Sequence, residues 1–204
     1  MKVIGLVGES GTGKSTVAAH LVNRGAGLID ADRIAHEVLG DDPQVVRSVR
    51  DRFGDGVFTD GSVDRAKLAF VVFNDRDALV ALGEILHPQV LERCRRKLSE
   101  FESRGVDLVV VDAALLLEVD VPFKLDFVVA LRASRDVQVA RLLSKGGANR
   151  EEIIARLESQ SNLERSFERA DVVIDAARPL AVVLAEVDRV VGEWLSRDSG
   201  TPEG

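Results

Sequence analysis

The chain has 204 residues, of which 46% are hydrophobic and 30% charged, and its formal net charge is −7. That length allows one ordinary domain with lobes inserted in it, around a core of mostly Val, Leu, Ile and Ala because aromatic residues are few. The acidic balance argues against a protein that coats nucleic acid or an anionic membrane, so an anionic ligand must be met by local basic groups.

The first element is the apolar, β-rich run Lys2-Val3-Ile4-Gly5-Leu6-Val7, which predicts a strand. It leads into Gly8-Glu9-Ser10-Gly11-Thr12-Gly13-Lys14-Ser15, which fits the pattern G-x-x-x-x-G-K-[ST] at every specified position. Over 15–23, Val17, Ala18, Leu21 and Val22 then recur at helical spacing. Strand, loop and helix is the context in which this pattern binds the phosphates of a nucleoside triphosphate. The backbone N–H groups of the loop turn inward around the oxygens, and the helix adds the positive end of its dipole. Lys14 is expected to reach the β- and γ-phosphates, and the Ser15 hydroxyl to take a place on Mg²⁺.

A short strand at 27–30 ends in Asp30-Ala31-Asp32, and a helix continues through Ile34, Ala35 and Val38. Both acids sit at the carboxyl end of a strand, where open parallel sheets place their ligands. Asp30 suits the cap of the following helix. Asp32, two residues on and inside the first turn, is the expected base for an alcohol acceptor. The block 36–104 then changes character, with helical patterns at 45–53, 64–73, 75–86 and 88–101. Breaks are expected at Gly54-Asp55-Gly56, at Asp60-Gly61, and at His87-Pro88, where proline would open a new helix. The single cysteine, Cys94, excludes a disulfide framework and a thiolate metal site, and its spacing from Leu91 and Leu98 predicts burial.

Further strands are expected at 106–111, closed by Asp112, at 127–131 and at 172–174. Their Val-rich runs lack polar alternation, which indicates a parallel sheet covered on both faces. Asp112 stands where a carboxylate holds Mg²⁺ through water. Between the last two strands, 134–144 and 150–160 read as polar helices bearing Arg135, Arg141, Lys145, Arg150 and Arg156, with a flexible break at Lys145-Gly146-Gly147. This is the pattern of a mobile basic lid, from which Arg141 could swing over the γ-phosphate. An amphipathic helix at 179–195 presents Val182, Val183, Val187, Val190, Val191 and Trp194, with Trp194 as a core anchor, and 197–204 should be a disordered tail. No charged region followed by a long apolar one opens the chain, so a cytoplasmic protein with no membrane partner is expected. The acidic charge argues against a nucleic-acid partner, and with no apolar face beyond those the fold needs a monomer is expected.

Together these residues resemble the dephospho-CoA kinase family. The likeness runs through Gly-x-x-Gly-x-Gly-Lys-Ser-Thr ending at Thr16, Ile29-Asp30-Ala31-Asp32, Phe53-Gly54, and Asp60-Gly61-x-Val63-Asp64-Arg65 with Leu68 and Phe73. It continues through Leu86-His87-Pro88, Asp112 with Leu115-Leu116 and Glu118, Gln138 with Arg141, Gln160, and Ala170-Asp171-x-x-Ile174. The resemblance implies an α/β P-loop kinase fold, a three-layer α/β/α sandwich with a parallel five-stranded sheet, a helical insertion and a lid. It implies a nucleotide-binding core at 1–35, 105–133 and 170–196, an acceptor domain at 36–104, and a lid at 134–169. The implied reaction moves the ATP γ-phosphate to the ribose 3′-hydroxyl of dephospho-CoA, the last step of coenzyme A synthesis.

By the same resemblance Asp32, Lys14 and Arg141 are catalytic. The ATP site comprises Glu9, Ser10, Gly11, Thr12, Gly13, Lys14, Ser15, Thr16, Arg141 and Arg178, and Asp32, Arg65, His87, Leu115 and Glu118 receive the acceptor. Ser15, and Asp112 through water, hold Mg²⁺. The chain departs from the family pattern in three places: Ala114 where proline is usual, Lys145 where a second lid arginine is common, and Ala176-Ala177-Arg178 in place of Asn-x-Gly near the adenine pocket. Lysine keeps charge but loses the planar fork of arginine. Two other readings stay open from the residues themselves, a kinase for another small alcohol or nucleoside monophosphate, and a nucleotide-dependent switch.

Overall fold

The computed structural model describes residues 1–113, 121–147, 149–159 and 167–198. Its main sheet contains β1 (Lys2–Val7), β2 (Gly27–Asp30), β5 (Leu108–Asp112), β6 (Phe127–Arg132) and β7 (Val172–Asp175). All pairings are parallel and the order is β2-β5-β1-β6-β7. Successive residues of the inner strands face opposite layers. Val3, Val109, Val111, Val128 and Ala130 belong to one buried cluster, while Ile4, Leu6, Val110, Val129 and Leu131 belong to the other. Both faces are covered, which is why these strands read as unbroken apolar runs.

One face carries α1 (Lys14–Asn23) and the closing helix α8 (Leu180–Asp198), whose Val183, Val187, Val190 and Val191 are buried against the sheet. Trp194 stacks on Phe127 with ring centroids 5.0 Å apart, the anchoring role expected of it. Val182 lies outside the buried stripe at 37% exposure. α8 also continues through Asp198, two residues into the expected tail, and 199–204 lie outside the described residues.

The other face carries α2 (Ala31–Asp41), α3 (Pro43–Phe53), α4 (Arg65–Asn74) and α5 (Arg76–Ser103). An aspartate starts each of them. Asp30 accepts from Arg33 N–H at 2.8 Å, Asp42 from Gln44 N–H at 3.0 Å, Asp64 from Ala66 N–H at 3.0 Å, and Asp75 from Asp77 N–H at 2.9 Å. Each cap satisfies a backbone donor that the first turn leaves unpaired, worth about 1 kcal/mol.

One expectation fails in this block. No break occurs at His87-Pro88, because α5 runs unbroken with Pro88 inside it. Proline removes one helical hydrogen bond at a cost of about 3 kcal/mol, and burial of Ala78, Val90, Cys94 and Leu98 on both sides of it outweighs that local preference. The Asp60-Gly61 break is the turn of a small antiparallel hairpin, β3 (Phe58–Thr59) with β4 (Ser62–Val63), whose strands are too short to show a periodic pattern. α6 (Arg135–Lys145) and α7 (Arg150–Ser159) share a separate small core of Val139, Ile153 and Leu157. Among the described residues no helix is long and apolar enough to cross a membrane.

Candidate active site

Strand order places the phosphate loop beside two carboxylates. β1 leads into the loop and β5 is its neighbour, with Leu6 paired to Asp112, while Asp112 is paired in turn to Asp30 on β2. Three chain segments distant in sequence therefore end side by side at the carboxyl edge of the sheet. The loop can take its shape only through glycine at two close approaches. Gly8 has φ +147° and a Cβ there would lie 2.6 Å from the Leu131 carbonyl, and Gly11 has φ +80° with Gln138 carbonyl oxygen 2.8 Å from its would-be Cβ.

The loop is braced from outside. Gln138 is fully buried on α6 and donates through Nε2 to the Glu9 carboxylate. Arg141 donates to the carbonyls of Gly11 at 3.4 Å, Thr12 at 3.2 Å and Ala176 at 2.7 Å. Thr12 turns inward, with 2% exposure and its hydroxyl on the Glu9 carbonyl at 2.8 Å. Lys14 is 9% exposed and donates from Nζ to the Gly8 carbonyl at 2.8 Å, so its charge is held under the loop.

Asp112 is 8% exposed and its Oδ1 has no hydrogen-bond partner. Burial pushes its pKa up to about 6; the Lys14 charge pulls it down, while Asp32 and Asp30 push it further up. A buried, unpartnered carboxylate oxygen beside a phosphate loop fits one ligand position of Mg²⁺, which keeps most of its shell as water and phosphate oxygen. The Ser15 hydroxyl is exposed to the same cavity. Among the described residues no group of three or more His, Cys, Asp or Glu side chains could hold a metal alone.

Two cavities meet at this edge. The first, about 760 Å³, is lined by Ser10, Gly13, Lys14, Ser15 and Asp112 on the sheet side, and by Lys145, Gly146 and Gly147 at the end of α6. The second, about 330 Å³, lies among α2, α4 and α5, with an apolar interior that includes Leu68, Val72, Leu82, Leu86 and Cys94. Burial pushes the Cys94 thiol up to about 11, so it stays protonated and unreactive there. Asp32, His36, Ala69, Phe73 and Arg156 line both cavities and form the neck between them.

Of the residues expected at the site, Glu9, Ser10, Gly11, Gly13, Lys14, Ser15, Asp32 and Asp112 line the first cavity, and Arg65 and His87 line the second. The His87 side chain is exposed overall, yet its ring backs onto Gly83, and the resulting desolvation lowers its pKa. Thr16 is exposed on α1 outside both linings. Arg141 lies on the outer side of the loop, and Arg178 pairs with Glu186 on α8, so this conformation brings neither into a cavity. Leu115, Glu118, Ala114 and Gln160 lie outside the described residues. The sequence reading assigned no site role to His36, Phe70 or Arg156. His36 could have been found as the residue one helical turn beyond Asp32, on the side away from buried Ile34 and Val38.

Comparison with known proteins agrees with this geometry. The dephospho-CoA kinase family model matches residues 2–181. A dephospho-CoA kinase of Carboxydothermus hydrogenoformans is 36% identical over 199 residues, covering 97% of both chains. The crystal structure of a Thermus thermophilus protein superposes with a TM-score of 0.73 at 31% identity, covering 94% of this chain and 97% of that one. A dephospho-CoA kinase from Campylobacter jejuni, 22% identical, shares the fold with a TM-score of 0.65 over 95% of this chain and 97% of its own. With nearly the whole length matched by the family model and by relatives above 30% identity, this chain belongs to the dephospho-CoA kinase family.

Proposed function

We propose that Asp32 is the general base through which this chain moves the γ-phosphate of ATP to the ribose 3′-hydroxyl of dephospho-CoA. As a member of its family the chain is an ATP-dependent phosphotransferase acting on dephospho-CoA in coenzyme A synthesis. The observation that carries the assignment of the base is the neck, since Asp32 faces both the cavity under the phosphate loop and the one among the acceptor helices. ATP would occupy the first cavity and dephospho-CoA the second, so the phosphoryl group crosses where Asp32 stands.

The 3′-oxygen attacks the γ-phosphorus as the bond to the β–γ bridging oxygen breaks, and the hydroxyl proton passes to the Asp32 carboxylate. Lys14 and the loop N–H groups then hold the charge that accumulates on the β- and γ-oxygens. Ser15, and Asp112 through water, would hold Mg²⁺, which supplies charge neutralisation between the phosphates. Arg141 shapes the loop through its carbonyls in the conformation described, and would contact phosphate only after exchanging those partners as the lid closes. Arg65 and His87 would meet the acceptor in the second cavity.

This divides the molecule into the core at 1–35, 105–133 and 170–196, the acceptor lobe at 36–104 and the lid at 134–169. The separate core under α6 and α7 supports treating the lid as its own unit. A monomer in the cytoplasm is the working form.

The test is ADP release from Mg-ATP with dephospho-CoA, against no acceptor, shikimate, gluconate, CMP and AMP. Release with dephospho-CoA alone is expected, and turnover of another acceptor in its place would discard the substrate. Asp32→Asn should bind both substrates and lose about 10²- to 10⁴-fold in kcat. Wild-type turnover by that variant would remove Asp32 from the role.

A further inference from the structure

We propose that His36 reads the 2′-hydroxyl of the acceptor ribose, so that the enzyme requires a ribonucleotide acceptor and presents only the 3′-hydroxyl to the base. The inference rests on the proposed placement of the acceptor ribose at Asp32, and it adds a second contact to the same sugar.

Four of the five residues at the neck form two parallel pairs. Asp32 and His36 are one turn apart on α2, Ala69 and Phe73 are one turn apart on α4, and Arg156 reaches the neck from α7. A flat ring entering this opening meets hydrogen-bonding groups along one wall and apolar groups along the other. Side chains four residues apart on a helix have Cβ atoms about 5–6 Å apart and project the same way. Their polar tips can therefore engage two neighbouring oxygens on one face of a sugar. The acceptor ribose carries one such pair, its 2′- and 3′-hydroxyls. The proposal sets the 3′-hydroxyl on Asp32 and the 2′-hydroxyl on the side from which His36 projects.

The chemistry of the imidazole suits that task. A neutral ring offers one donor and one acceptor, and a hydroxyl can answer either. Asp32 and His36 are both exposed and form no hydrogen bond or ion pair with other described residues, so neither must give up a partner to take the sugar. Arg33, between them in sequence, is placed differently, being paired to Glu37 at 3.8 Å. Buried Ile34 and Val38 anchor α2 to the core on its other side and fix the direction in which the pair projects. A site that hydrogen-bonds a substrate hydroxyl disfavours the analogue lacking it, because the protein group is then left unpaired.

The experiment compares kcat/KM for dephospho-CoA and for its 2′-deoxyribose analogue, with wild-type enzyme and with His36→Ala. Wild type should favour the ribose acceptor by about tenfold or more, the range of a well-made hydrogen bond. In His36→Ala the ribose acceptor should lose that advantage while the deoxy acceptor is unaffected, bringing the ratio close to one. Because both acceptors are measured on one preparation, partial misfolding lowers both rates and leaves the ratio unchanged. The proposal is overturned if His36→Ala slows both acceptors equally, as a phosphate contact would, or if wild type does not distinguish them. Asp32→Asn measured on the same two acceptors separates this result from the assignment of the base. Should the base assignment fail, that variant keeps its turnover while the dependence on His36 and the 2′-hydroxyl can still be read.

Discussion

At the nucleotide end of the site, Lys14 and Asp112 are 9% and 8% exposed, and the loop between them is held by Gln138 and Arg141 from outside. Across the neck, Asp32, His36, Arg65 and His87 are exposed and have no hydrogen-bond or ion-pair partner among the described residues. The contrast follows from what each half must do. Phosphate oxygens need a fixed ring of donors and a cation in place before the reaction, so the cost of burying charge falls on the fold. On the proposed acceptor side the polar groups stand in solvent above an apolar pocket, as access for a sugar would require. Substitutions on the nucleotide side should therefore alter both function and folding, while those on the acceptor side should alter function with little change in stability.

On the nucleotide side of this contrast the largest effect expected is that of Lys14→Ala. Removing a preorganised cation at the phosphates should lower kcat by about 10²- to 10³-fold, or about 3–4 kcal/mol of transition-state stabilisation. The Nζ contact to the Gly8 carbonyl also disappears, so the loop loses an internal brace as well. Steady-state kinetics with varied ATP check this, and unchanged ATP kinetics would mean that the loop does not bind the triphosphate.

Gly11→Ala should come next, at about 2 kcal/mol of stability together with weaker ATP binding. Left-handed backbone costs an L-residue about 1–2 kcal/mol, and here a Cβ would also sit 2.8 Å from the Gln138 carbonyl, which belongs to a helix and cannot swing away. Gly40→Ala in α2 is the matched control, because a Cβ there meets nothing within 4 Å. Thermal melts of the two should move apart. Equal melting temperatures would show that the loop accommodates a side chain and is less fixed than its contacts indicate.

How far the sequence exposes this arrangement depends on whether a feature is local. The phosphate loop is a fixed spacing within eight residues, and the buried strands declare themselves because a sheet covered on both faces demands unbroken apolar runs. Pro88 misleads for the same reason that it informs elsewhere: the rule is local, and α5 is held on both sides of the proline by contacts with other helices. Arg141 and Arg156 look alike in sequence as charges on helices, and Arg178 as a charge just before one. Only the folded chain separates an arginine spent on loop carbonyls, one at the neck, and one paired with Glu186. His36 lies between these cases. Its spacing from Asp32 is legible, but that their shared side opens on two cavities requires α4 and α7 to be in place.

The smallest predicted change in stability is opposite in sign, and it tests the buried carboxylate directly. Asp112→Asn should weaken the response to Mg²⁺ and yet stabilise the metal-free protein. Burial raises the Asp112 pKa from 3.8 to about 6, so between those values the folded chain holds a proton that the unfolded chain releases. Stability contributed by that proton is present below pH 4 and is lost as pH rises through about 6. A shift of roughly two units sets an upper bound of about 3 kcal/mol. Asparagine still buries a polar group, which leaves a gain of about 1–2 kcal/mol. In chelator, the melting temperature of the variant should match wild type near pH 4, rise above it between pH 4 and 6, and stay a few degrees higher at neutral pH. Saturating Mg-ATP should then reverse the order, since only the carboxylate gains from the metal. A variant that melts at or below wild type across the whole range in chelator would show that Asp112 carries no burial cost, and that its unpartnered oxygen is satisfied without a cation.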